Sequence, residues 1–159
     1  LGPGPVPALS KKITVVRFCF FDELAQLVSR QLRLRKYDAV VHSAAVADYR
    51  PVRVAPYKMR SGISRLTLRL VPTPKILDTM KKLDPSLRVV AFKFEPRAAK
   101  AILCAHARQL LKRSHADIVV ANTAHGKKYT AYLVESAKIT GPLDSKEALV
   151  ETLTGRITA

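Results

Sequence analysis

At 159 residues, 48% of them hydrophobic, the chain is long enough for one domain with a real core and too apolar to be disordered. Lysine and arginine number 28 against 12 aspartates and glutamates, a net charge of +16 that predicts attraction to polyanions: nucleotide phosphates, nucleic acid or an acidic surface. No apolar run approaches the roughly 18 residues of a membrane span, and residues 1–9 lack the charged-then-apolar layout of a signal peptide. The expectation is a single domain over 1–159, cytoplasmic and with no membrane partner.

"LGPGPVPALS" (1–10) is too rich in glycine and proline for a helix or central strand and reads as a loop or arm. "KKITVVRF" (11–18) is a β-branched run that predicts a buried strand. The next stretch, 21–35, is an amphipathic helix, with Asp22 and Glu23 at its positive end and Leu24, Leu27 and Leu32 on its apolar side. A second strand follows over 37–46, then the basic stretch "AAVADYRPVRVAPYKMRSG" (44–62). Strict alternation over 64–71 predicts a strand with one wet face. The helix over 73–83 has Thr73 as its expected N-cap and Pro74 at its first position. Then come a strand (88–95), a long helix (97–113), a strand (117–122), another strand (129–136), and a last helix opened by Asp144 and Glu147 at capping-box spacing. This alternation predicts an α/β fold with a largely parallel sheet, whose ligands bind beyond the carboxyl ends of the strands.

That rim gathers "AAVADYR", "AFKFE" and "VAN", each directly after a Val-rich strand. Small residues at Ala44, Ala45 and Ala47 let backbone N–H groups approach a ligand, while Asp48 offers a carboxylate and Tyr49 a ring. Lys58, with Arg50, Arg53 and Arg60, lies on a segment punctuated by Pro51, Pro56 and Gly62. A mobile basic loop beside an acid suits phosphate chemistry, and a solvated linker fits the same composition. The start of the 73–83 helix offers free N–H groups to an anion or to ordinary capping. Lys93 and Glu95 straddle Phe94 and so share one side of the sheet, as a surface ion pair. Asn122 ends its strand as a turn residue or a polar ligand group.

Neither GxGxxG, GxxxxGK[ST] nor GxSxG occurs. Cys19 and Cys104 read as two small buried hydrophobes, and His42, His106, His115 and His125 have no metal-ligand spacing, so no protein metal site is expected. On residues alone the reading is an α/β domain with a basic, loop-covered anion site.

In order and spacing, "DAVVHSAAVADYRP", "KMRSG", "LTLRLVPTPKIL", "VVAFKFE", "ADIVVAN" and "SKEALVETL" resemble the phosphopantothenate–cysteine ligase (phosphopantothenoylcysteine synthetase) family over residues 2–155. The resemblance implies a Rossmann-like three-layer fold that dimerises. It also implies an activity in coenzyme A biosynthesis: CTP or ATP, with Mg²⁺, activates the 4′-phosphopantothenate carboxylate as an acyl-nucleotide, and the cysteine amine then attacks. Carried over, Ala44 faces the intermediate, Asp48 helps hold the nucleotide and Lys58 belongs to the covering loop. Thr73, Pro74, Lys75 and Ile76 line the nucleotide, Phe92 packs by the base and Asn122 closes the "VAN" turn. The family's domain opens with a glycine-rich strand–loop–helix upstream of a "GPV" segment, to which "LGPGPVPAL" corresponds, so the expected sheet lacks its first strand–helix unit. Two lysines frequent in bacterial members are replaced by Leu110 and Ser114, and an aspartate by Lys75. A second reading takes the same fold as a non-catalytic basic module, binding RNA or serving structurally in a larger assembly, with Lys100, Arg108 and Lys112 as a basic helix stripe.

Overall fold

The computed structural model describes residues 12–54, 56–59 and 61–158; the arm expected over 1–10 lies outside them. Contacts divide the chain into two compact units, one drawn from residues up to Ala44 and from Ile76 onward, the other from Ala45–Lys75.

The larger unit is built on a five-stranded sheet. Its elements are α1 (Phe21–Arg33), β1 (Ala39–His42), α2 (Leu77–Leu83), β4 (Arg88–Phe94), α3 (Lys100–Ser114), β5 (Ile118–His125), β6 (Lys128–Val134), β7 (Ile139–Leu143) and α4 (Lys146–Thr158). The strand order is β1-β4-β5-β6-β7. β1, β4 and β5 pair in parallel, β6 returns antiparallel, and β7 reverses again, so four of the five strands run the same way. This is the mainly parallel α/β architecture that the alternating pattern predicts, and the Rossmann-like fold that the resemblance implies.

Val-rich β4 and β5 are buried on both faces, as strands covered by helices on either side must be. Val90, Ile118, Val120, Ala131 and Leu133 pack with Leu149 and Leu153 of α4. By strand alternation Val89, Val119 and Tyr132 face the opposite layer, where Lys100 of α3 lies over the Tyr132 ring at 5.2 Å. Polar bonds tie these layers together. Asp117 accepts the Val89 N–H at 2.7 Å, returns its own N–H to the Val89 carbonyl at 2.9 Å and pairs with Lys81 of α2 at 2.8 Å. The Arg88 guanidinium donates to the Arg156 and Ile157 carbonyls, neutralising the C-terminal end of α4. Buried Asp84 accepts both the N–H and the hydroxyl of Ser86, and the hydroxyl bond holds its carboxyl below the usual range.

Several expectations change. The strand expected over 11–18 is not formed among its described residues: 13–19 have no regular structure, and Ile13, Val15 and Val16 are exposed, as is Cys19. β-Branched composition is only a fit to a pleated, half-buried surface, and no ladder of the sheet takes up this run. The 73–83 helix begins a turn later, with Ile76 as its N-cap residue. Thr73 does not cap it, because its hydroxyl is spent on the Ala47 carbonyl at 2.6 Å. α4 is capped by Ser145, whose Oγ accepts the Ala148 N–H at 3.0 Å, while Asp144 accepts the Thr130 hydroxyl instead. Glu23, by contrast, works as its position implies, taking the N–H groups of Cys19 and Phe20 at the start of α1.

The smaller unit holds a two-stranded antiparallel ribbon, β2 (Tyr49–Pro51) on β3 (Leu70–Pro72). The strand expected over 64–71 therefore shrinks to its last residues, and Leu66, Leu68 and Leu70 are all more than half exposed. Three-residue strands in a ribbon have no second layer to bury a face against.

β7 went unpredicted because it contains Gly141 and Pro142, which is tolerable only on an edge strand. Gly141 has φ +127, and a Cβ there would lie 2.8 Å from the Ala131 carbonyl oxygen and 3.0 Å from Tyr132 Cδ1. Gly141→Ala is accordingly expected to lower unfolding stability by about 1–3 kcal/mol, read as a lower urea midpoint at unchanged m.

Candidate functional site

In the smaller unit the residues on either side of the β2–β3 ribbon close on each other. The Thr73 N–H donates to the Asp48 carbonyl at 2.9 Å, and the Thr73 hydroxyl reaches Ala47. This buries Thr73 and brings Lys75 onto the Asp48 carboxylate as a short ion pair. Asp48, Thr73 and Lys75, three residues singled out in sequence, are thus assembled in one place although 24 residues lie between Asp48 and Thr73. The pair is well exposed, with side chains 66% and 42% accessible, so it remains open to a phosphate or a carboxylate. Pro74 is exposed beside it. Lys58 is exposed and belongs to no helix or strand.

In the larger unit Ala44 is exposed just past β1, and Ile76 is buried at the head of α2. Phe92, opposite Val120, lies near the carboxyl end of β4; Asn122, opposite Phe94, is not the turn residue expected but lies within β5, because pairing with β6 carries that strand on to His125. Both lie on the α4 side, where half-buried Phe92 and Tyr129 pack against the core cluster. Burial pushes the Tyr129 phenol up, and the Asn122 side-chain amide, donating to it, pulls it part of the way back. Asn122 Oδ1 is buried with no hydrogen-bond partner among the described residues, an acceptor that a bound N–H group or a water would satisfy.

The opposite side of the same strand end is ionic. Glu95 accepts from Lys93 at 3.0 Å and from His106 Nδ1 at 2.9 Å, and these bonds, Lys93 first, hold its carboxyl below the usual range. The Lys93–Glu95 pair follows from strand alternation. His106 does not, because its partner lies across the turn into α3, and no sequence spacing marks that contact. The stripe expected on α3 is also divided: Lys100 sits over Tyr132 on the sheet-facing side, whereas Arg108 and Lys112 share the solvent flank. Among the described residues no group of three or more His, Cys, Asp or Glu side chains gathers to hold a metal, and no helix is long and apolar enough to cross a membrane.

Residues 2–158 match the model of the DNA/pantothenate metabolism flavoprotein C-terminal domain family. The chain belongs to this family. It is 41% identical over 102 residues to the coenzyme A biosynthesis bifunctional protein CoaBC of Thermococcus kodakarensis, a match covering 64% of this chain and 25% of that protein. The CoaBC of Mycobacterium tuberculosis is 31% identical over 117 residues, 69% of this chain and 28% of that protein. The chain thus spans about a quarter of the length of these curated relatives. Among solved structures, the DNA/pantothenate metabolism flavoprotein of Streptococcus pneumoniae superposes with a TM-score of 0.83 at 22% identity, covering 96% of this chain and 75% of that one. A Cab2 variant in complex with phosphopantothenate-cysteine gives a TM-score of 0.71 at 21% identity, covering 90% and 52%. At these identities the structures establish the family's fold.

Two groups in the larger unit make stability fall with pH from near neutrality down through about pH 4.5, below which Asp84, also depressed, adds to the loss. His42, half-buried on β1, has its pKa lowered by burial from an ordinary 6.5, so the unfolded chain takes up a proton there that the folded chain resists. Glu95 is depressed from an ordinary 4.5. Both contributions are present above the unfolded pKa and are lost as pH falls through the folded one. The urea midpoint is therefore expected to fall in two stages, below about pH 6.5 and again below about pH 4.5, with His42→Gln removing only the first.

Proposed function

We propose that this chain is a ligase domain of coenzyme A biosynthesis that joins 4′-phosphopantothenate to cysteine through an acyl-nucleotide formed from CTP or ATP. The 41% identity to a CoaBC protein across 102 residues carries the reading. The clustering of Asp48, Thr73 and Lys75 supports it, because it joins two of the sequence strings on which the resemblance rests.

The chemistry explains the charge. Activating a carboxylate with a triphosphate crowds several negative groups together, and cations brought over them offset the repulsion as pyrophosphate leaves. In this reading Lys58 is the cation on the covering loop, and Lys75 lines the nucleotide while its ion pair holds the Asp48 carboxylate in place. Thr73, Pro74 and Ile76 line the nucleotide, Phe92 lies by the base, and the unpartnered Asn122 Oδ1 accepts an N–H of the ligand. Ala44, whose side chain is a single methyl, faces the acyl group. Mg²⁺ would accompany the nucleotide as its counter-ion and offset phosphate charge, since among the described residues no group of three or more His, Cys, Asp or Glu side chains forms a cage for it. The active form is taken to be a homodimer.

Pyrophosphate release should require nucleotide, 4′-phosphopantothenate and cysteine together. Lys58→Gln is expected to lower kcat by about 10²–10³-fold with a smaller change in KM for cysteine. Absence of release with either CTP or ATP would overturn the proposal, and steeply salt-dependent RNA binding in its place would favour the basic-module reading.

A further inference from the structure

The ionic group on the α3 side of the rim has no part in the roles above, yet it is built like a base held ready. Glu95 directly follows β4, and its N–H donates to the Asn122 carbonyl at 3.0 Å, so it is fixed one backbone bond from a candidate nucleotide residue. The turn behind it is strapped to the same strand by the Arg97 N–H on the Ala124 carbonyl at 3.2 Å, with Arg97 held at φ +57. Its carboxylate lies between Lys93 and His106. An ionised carboxylate can only accept, so the 2.9 Å contact requires that His106 Nδ1 carry the hydrogen. The neutral ring then has its lone pair on Nε2, for which no partner appears among the described residues. The His106 side chain is 42% accessible, open enough to meet a substrate and fixed in ring orientation by Glu95. Lys93 is a donor only and the Glu95 carboxylate is already engaged by Lys93 and His106, which leaves His106 Nε2 as the unengaged proton acceptor of the group.

We propose that His106, oriented by Glu95, is the general base that takes the proton from the attacking amine in the second half-reaction. This rests on the ligase reading. The amine reaches the acyl carbon as neutral –NH₂, and its nitrogen lone pair forms the C–N bond. The bond from the acyl carbon to the phosphate oxygen breaks, its electron pair leaving on that oxygen as nucleoside monophosphate. The surplus proton on nitrogen passes to His106 Nε2, which returns it to solvent. Formation of the acyl-nucleotide, in which a carboxylate oxygen attacks phosphorus, has no proton to remove and makes no call on His106.

The test exploits that asymmetry by changing the nucleophile in the full chain. Hydroxylamine is neutral near pH 7 and attacks acyl phosphates without a base, giving a hydroxamate that is assayed directly. For His106→Gln, cysteine-dependent amide formation should fall by about 10²-fold or more while hydroxamate formation stays within about threefold of the unsubstituted chain. Glu95→Gln, which keeps the shape but loosens the ring's orientation, should show the same split at roughly tenfold. Equal losses with both nucleophiles would mean a structural role and would overturn the assignment, as would no loss with either. If the unsubstituted chain itself yields neither amide nor hydroxamate nor pyrophosphate, the ligase reading is overturned rather than the choice of base within it.

Discussion

The register of β4 against β5 is the constraint from which the rest of the molecule takes its positions. Asp117 sets it at one end, with its carboxylate on the Val89 N–H and its own N–H on the Val89 carbonyl. The ladder then runs from Val90 opposite Ile118 to Phe94 opposite Asn122, and ends with the Glu95 N–H on the Asn122 carbonyl. A slip of one residue would turn every side chain of a strand to the other face. A slip of β4 would send Phe92 away from α4 and Glu95 away from α3, disturbing both sides of the rim at once. Lys81 reaching Asp117 adds a helix to the same anchor, so the register is supported from outside the sheet as well.

Legibility in the sequence followed how local the determining forces were. β4, α3 and β5 were readable because Val-rich runs and a long alanine- and leucine-rich stretch each carry their signal within a few residues, and the sheet buries them as those patterns require. Thr73 was misread because a capping residue and a residue that bonds a distant carbonyl look identical in sequence; Ala47 decides between them. The 11–18 run was misread because propensity does not supply a neighbouring strand, and β7 was hidden by a glycine and proline that only an edge position accommodates. Of the site, Asp48 and Lys75 were visible as residue types, whereas their ion pair depends on chain reversal through the β2–β3 ribbon. His106 had no signal at all short of the turn that brings α3 back over the sheet.

The excess of positive charge also acquires a structure. The acidic residues are few, and many hold a fixed post: Asp48 on Lys75, Asp78 on Arg113, Asp84 on Ser86, Glu95 on Lys93 and His106, Asp117 on Lys81, Glu23 on the head of α1. Little acid is therefore spare to neutralise the remaining surface, and the protein's field is positive by default. Such a field raises the local concentration of any polyphosphate and weakens steeply with salt. It says little about which phosphate is met, and discrimination has to come from short-range groups at the rim.

Those groups are divided by the simplest property of a β-strand. Because alternate residues point to opposite faces, the last turn of β4 sends Phe92 and Phe94 to the α4 side and Lys93 to the α3 side, where Glu95 joins it. One strand end thereby presents an aromatic surface with an orphaned amide acceptor on one side and an ordered ionic group on the other. Apolar stacking demands exclusion of water, while an ionised carboxylate demands strong donors nearby. Placing both on one face would force each to compromise the other, through desolvation of the carboxylate or wetting of the ring. Separation across the sheet lets both persist within a few residues of each other, which is the geometric precondition for a planar ligand and a titrating step to share a single rim.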